Sequence, residues 1–126
     1  MVMMDMPIQQ TSEFIQGFEL FNAGHYWHAH EAWEVQWLQR NGNERDLLQG
    51  LIQTAAALVH WSRGNPKGLL LNWHKAAPKL QAALTWVDFL DLQHVIVTMQ
   101  ALVDDQAKHP PQLRFVSASD PLCNQH

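Results

Sequence analysis

The sequence predicts an all-α fold, a compact array of about five mostly antiparallel helices. Three observations carry this. Apolar residues return every three or four positions through five successive segments, which is the helical period. Four of the five segments end at Gly, Asn or Pro, residues that stop helices or open turns. No stretch keeps up the strict apolar–polar alternation of a half-buried strand. Val95-Ile96-Val97 is β-branched, but it lies inside a helical pattern.

The first helix opens at Thr11 or Ser12, either of which can cap it, with Phe14, Phe18 and Phe21 or Ile15 facing inward. Gly17 costs about 1 kcal/mol relative to alanine inside a helix, so it marks a close approach by a neighbour. Asn22-Ala23-Gly24 ends this helix. The second runs from His25 to Arg40, with Tyr26, Ala29, Trp33 and Trp37 at helical spacing. Asn41-Gly42-Asn43 turns the chain. The third covers Glu44 to Arg63, and its wide apolar face suits a central helix contacted on two sides. Gly64-Asn65-Pro66 closes it, with Pro66 placed to open the next helix. The fourth, Lys67 to Thr85, contains Pro78, which predicts a kink or two shorter helices meeting there. The fifth spans Asp88 to Ala107 and stops at His109-Pro110-Pro111. Residues 1–126 read as one domain with a core over 11–107. Segments 1–10 and 112–126 are expected to be flexible or loosely docked, the latter through Leu113, Phe115 and Val116.

Composition narrows the function. The chain of 126 residues is 47% hydrophobic and only 16% charged, which points to surface buried in an oligomer or lined by Gln, Asn and His. A homodimer through Trp-bearing helix faces is therefore one expectation. The formal charge is -4 and there is no basic run, which argues against a nucleic-acid partner and against an anionic membrane surface. Apolar stretches fall far short of a membrane span. The N-terminus lacks a basic segment followed by an apolar core, as a secretory leader would have. Cys123, the single cysteine, can form no disulfide within the chain. Together these place the protein in the cytoplasm.

The chemistry-bearing residues concentrate on two helices. On the second, His30 and Glu34 are four apart, and Glu31 is three from both His28 and Glu34, so these pairs meet on a helix surface. His30 and Glu34 share a face with Trp33 and Trp37, a face expected to turn inward. A charge there needs a partner. On the third helix Gln49, Gln53, Ala56 and His60 form a narrow, mostly polar stripe, and it is expected to face His30 and Glu34. One outcome is a buried hydrogen-bond network that fixes helix register. Another is a divalent-metal site of His30, Glu34 and His60, completed by Glu31 or water. Imidazole with carboxylate suits zinc, iron, manganese or nickel. A third is a pocket for a small organic molecule.

Short motifs do not decide among these. His30-Glu31-Ala32-Trp33-Glu34 starts like the zinc-protease helix, but Glu34 stands where that signature needs histidine. The di-iron pattern needs Glu-x-x-His, and Glu31 is followed three later by Glu34. His74 is a possible further ligand, although it follows Trp73 and reads as a boundary residue. No phosphate loop, nucleophile elbow or calcium loop is present. Of the six tryptophans, Trp33 and Trp37 are expected in the core, and Trp61 on an outer edge open to an interface.

From Phe18 to Gly68 the chain resembles a known family. The matching pieces are Leu20-Phe21-Asn22-Ala23-Gly24, then Tyr26-Trp27-His28-Ala29-His30-Glu31-Ala32-Trp33-Glu34 with Trp37. Leu48-Gln49-Gly50-Leu51-Ile52-Gln53 with Ala55-Ala56, His60 and Gly64-Asn65-Pro66-Lys67-Gly68 complete the order. Together they resemble the DUF309 family of small bacterial and archaeal helical proteins of unknown function. The resemblance implies about five helices and supplies no activity. It also implies that His30, Glu31, Glu34, Gln49, Gln53 and His60 occupy the family's polar motif positions. His28 departs from it, because family members commonly carry glutamate there. If that glutamate is functional, this chain binds a different ion or none.

The leading expectation is thus a helical binding module with a small polar site, metal-bearing or not, between the second and third helices. One alternative is a metal-assisted hydrolase, with Glu31 or Glu34 as general base and His60 orienting or donating a proton. Gln49 and Gln53 would then hold the ligand. The other alternative is a non-catalytic, dimerising protein whose polar stripe is structural.

Overall fold

The structure is a computed structural model, and it describes residues 6–116. Five α-helices follow a short 3-10 turn, Ile8–Gln10. They are α1 (Ser12–Asn22), α2 (Tyr26–Trp37), α3 (Gly42–Ser62), α4 (Pro66–Ala83) and α5 (Leu92–Val103). Neighbours in sequence are neighbours in space: α1 packs on α2, α2 on α3, α3 on α4 and α4 on α5. This is the all-α array that the periodicity predicts.

α3 is the hub. Leu47, Leu51 and Leu58 are fully buried beneath it, and Ala55 and Ala57 let its neighbours approach closely. The α2–α3 register is set at one end, where the Arg45 guanidinium lies 4.1 Å from the centroid of the Trp37 ring. The α3–α4 register is set where Gly50 lies against Lys79 and Leu80, and at the far end where the His60 ring sits on Gly68. A Cβ at Gly68 would overlap that ring. Helical phase then puts α2, α3 and α4 side by side in one layer, with α1 under α2 and α5 flanking α4.

Three sequence expectations are corrected. α4 continues unbroken through Pro78. Pro78 is exposed, and so is His74 four residues earlier, so the carbonyl that loses its helical bond lies on the solvent side. α5 is shorter at both ends than Asp88–Ala107. Asp91 caps its start by accepting from the His94 amide at 3.1 Å. At its end Asp105 has φ 59, and the Gln106 amide donates back to the Ala101 carbonyl at 2.7 Å. α2 stops at Trp37, short of Arg40.

The described parts of the terminal segments are docked on the body, through Leu113, Phe115 and Val116 at the C-terminal side as the sequence allowed. Ile8, before α1, is fully buried in the core. Leu113 is buried too, and Phe115 stacks on Phe18 with ring centroids 4.2 Å apart. The Asn22 side chain clamps this stretch from both sides. Its Nδ2 donates to the Leu113 carbonyl at 2.9 Å, and its Oδ1 accepts from the Leu113 amide at 2.7 Å. Arg114 pairs with Asp91 at 2.9 Å, and the Val116 amide donates to the Phe89 carbonyl at 2.8 Å. Cys123 lies outside the described residues. Among the described residues no helix is long and apolar enough to cross a membrane.

Candidate functional site

α2 has an inner flank toward α1 and an outer flank toward α3. On the inner flank Trp33 is fully buried over Gly17, where a Cβ would overlap its indole, and its Nε1 donates to the Phe14 carbonyl at 3.2 Å. Thr11 caps α1 by accepting from the Phe14 amide at 3.2 Å, and it also accepts from Gln36 Nε2 at 2.6 Å. Tyr26 meets Phe21 edge-on, with centroids 5.2 Å apart. Burial raises its phenol pKa above the ordinary tyrosine value.

The outer flank holds the sequence-predicted residues. The His30 ring lies parallel to the exposed Trp27 indole, with centroids 5.0 Å apart and planes 17° apart. Its Nε2 is 3.8 Å from Glu34 Oε2. Three polar atoms along this seam are buried without a hydrogen-bond partner: His30 Nδ1, Trp37 Nε1 and Gln53 Oε1. The Arg45–Trp37 contact fixes their levels. Counting back at about 1.5 Å per residue, His30 lies about 10 Å from Trp37, and Gln53 about 12 Å from Arg45. Both therefore sit at one height, and Gln49 sits level with Glu34. The stripe of Gln49, Gln53, Ala56 and His60 is half-buried throughout.

Two expectations fail here. Glu34 does not turn inward with Trp33; its side chain is 53% exposed, so its charge needs no buried partner. His60 does not join His30 and Glu34. It lies seven residues beyond Gln53, about 10 Å along the helix. Its ring is already engaged, since Asn65 Nδ2 donates to its Nδ1 at 3.1 Å. Asn65 Oδ1 in turn accepts from the Gly68 amide at 3.1 Å, capping α4. His60, Asn65 and Gly68 thus form a joint between α3 and α4. Glu31 is exposed, and His74 is exposed on α4. Among the described residues no three His, Cys, Asp or Glu side chains come together as a metal would require. The three-ligand centre and the Glu–His60 hydrolase geometry are not assembled.

His28, which replaces the glutamate that the resemblance implies, lies in a surface cleft with His25 and Arg63. Trp61 is half-buried and forms one wall of an open cleft of about 480 Å³ with Leu69 and Leu102. Sequence reasoning missed the parts played by Trp27 and Arg45. The available signals were Trp27 three residues before His30, and Arg45 one turn before Gln49.

Comparison with known proteins fits this geometry to one family. Residues 14–71 match the family described as a domain of unknown function, DUF309. No curated protein matches the chain. The matched stretch contains α1 from Phe14, all of α2 and α3, and α4 as far as Leu71. It therefore holds the α2–α3 seam and the His60–Gly68 joint, so the part of the chain that is similar to the DUF309 family is the part that carries the candidate site.

Proposed function

We propose that the protein is a helical binding module whose site is the polar seam between α2 and α3, and that it takes a small polar molecule by hydrogen bonding. The observation that carries this is the set of three orphaned polar atoms on one seam. Each buried group left without a partner costs on the order of 1–3 kcal/mol, so three along one seam favour completion from outside. Their chemistry describes the ligand. Trp37 Nε1 only donates, Gln53 Oε1 only accepts, and His30 Nδ1 does either according to tautomer. A polar molecule long enough to span about 10 Å, with N–H or O–H groups for Gln53 and His30 at one end and a carbonyl for Trp37 at the other, answers all three. Trp27 and Glu34 would bound it on the α2 side, with Gln49 on the α3 side. The single cysteine fits a reducing compartment such as the cytoplasm.

The test is a nuclear magnetic resonance titration of the full chain. The probes are small carboxamides and hydroxy acids, with zinc, manganese, iron(II) and nickel ions in separate samples. The expected result is that at least one organic probe shifts the Trp37 indole N–H and Gln53 amide signals together, and that His30→Ala abolishes the response. A metal ion that shifts His30 alone would replace the hydrogen-bonding ligand with a two-residue His30–Glu34 chelate. No response from any probe would overturn the reading, and a clear loss of stability in Gln53→Leu would then make the seam a feature of the fold only.

A further inference from the structure

The outer face of the α2–α3–α4 layer is more apolar than a solvated face needs to be. Trp27 on α2 and Leu38 just past its end are 52% and 70% exposed, and Leu71 on α4 is 54% exposed. Helical phase turns all three to the same side as the polar stripe of α3. Charge on this layer is segregated by helix. α2 carries Glu31 and Glu34 and no Lys or Arg, whereas α4 carries Lys67, Lys75 and Lys79 and no Asp or Glu. The two charged edges match in height. Counting from the Arg45–Trp37 and Gly50–Leu80 contacts, Glu31 on one flank is level with the Lys75–Lys79 turn on the other.

A surface with an acidic, apolar left edge and a basic, apolar right edge is complementary to itself. A two-fold axis along α3 exchanges the edges, laying α2 of one copy over α4 of the other. That is the isologous arrangement of a symmetric dimer. The face measures roughly 20–30 Å each way, from helix lengths and interaxial spacing. Pairing it buries on the order of 1,000 Å² in total, the lower end for a specific interface.

We infer that the protein forms a two-fold homodimer through this face, with Trp27 of each copy packed between Leu71 and Pro78 of the other. Glu31 and Glu34 then meet Lys75 and Lys79 across the interface twice, and the Gln49 and Gln53 amides lie at the axis, able to pair with their own copies. This interface covers the proposed ligand seam and shares Trp27, Glu34, Gln49 and Gln53 with it, but the two fail separately. One is tested by mass, the other by resonance shifts.

The experiment is sedimentation equilibrium of the full chain from 1 to 100 μM, as on the order of common affinities. Wild type is expected to sediment as a dimer. Glu31→Lys with Glu34→Lys, and separately Lys75→Glu with Lys79→Glu, should each raise the dissociation constant at least about a hundredfold, because like charges then face each other. Circular dichroism melts confirm that each variant is folded. Mixing the two variants should restore a dimer, since each supplies the charge that the other lacks. A wild type that stays monomeric throughout overturns the inference. So does a dimer whose mass responds to neither charge pair, since its interface then lies elsewhere.

Discussion

α2 presents one tryptophan to α1 and another to α3, and the two indoles are treated differently. Trp33 is fully enclosed, seated on Gly17, and its N–H is spent on the Phe14 carbonyl. Trp37 is half-buried, covered by Arg45, and its N–H has no partner. The same contrast runs along the helix. Gln36 donates to Thr11 on the inner flank and leaves only Oε1 unpaired, while His30 and Gln53 on the outer flank leave buried atoms unanswered. A helix whose two flanks differ so much in polar satisfaction is doing two things. The inner flank holds the fold together, and the outer flank carries the unanswered polar atoms on which the proposed site rests.

The sharpest way to break that contrast is on the inner flank. Gly17→Ala forces a Cβ into the Trp33 indole, which is rigid and has nowhere to go. Overpacking together with a lost buried hydrogen bond should cost about 3–5 kcal/mol in urea unfolding. A cost below about 1 kcal/mol would mean that the indole moves freely and that the flank is not tightly built. Thr11→Ala should come next, at about 2–3 kcal/mol, because it removes the α1 cap and strands Gln36 Nε2. Thr11→Ser should recover most of it.

On the outer flank the sign changes. Gln53→Leu removes an unpaired buried acceptor and should leave stability within about 1 kcal/mol of wild type, or raise it. A clear destabilisation would show Gln53 bonded within the fold and would erase the difference between the flanks. The smallest effect concerns pH. Burial holds the Tyr26 phenol protonated beyond its ordinary range. Its contribution is therefore fully present below the unfolded value near 10 and is lost as pH rises through the raised folded value. Tyr26→Phe should flatten the alkaline limb of a stability–pH curve and leave the neutral region unchanged.

Much of this was legible in the sequence. Five helices follow from the apolar period, and Gly17 signalled the close approach that Trp33 makes. That α2 and α3 pack side by side was legible too, because short connections favour antiparallel neighbours. Other features were hidden for physical reasons. Helical spacing gives the side of a helix but not the depth of a side chain, so Glu34 read as buried when it stands at the rim. A stripe also says nothing of which neighbour each residue meets. His60 lies on the same stripe as Gln53, yet two turns on it faces the start of α4. Pro78 read as a break because its ring is costly in a buried helix, and its exposure on the outer face removes most of that cost. Tail docking was only partly visible, since Leu113 and Phe115 were apparent but the receiving amide of Asn22 was not.

The Asn22 clamp on Leu113 also orders events in time. Contacts between successive helices close short loops, whereas this pairing joins residues 91 positions apart. Closure entropy grows with loop length, and contacts of such separation form only after local structure has drawn the ends together. The terminal strap therefore latches last as the chain folds. On a helical body assembled mainly from neighbours, it is the natural first piece to lift away. Its amides, at Leu113 and Val116, would exchange with solvent through small openings that leave α3 untouched.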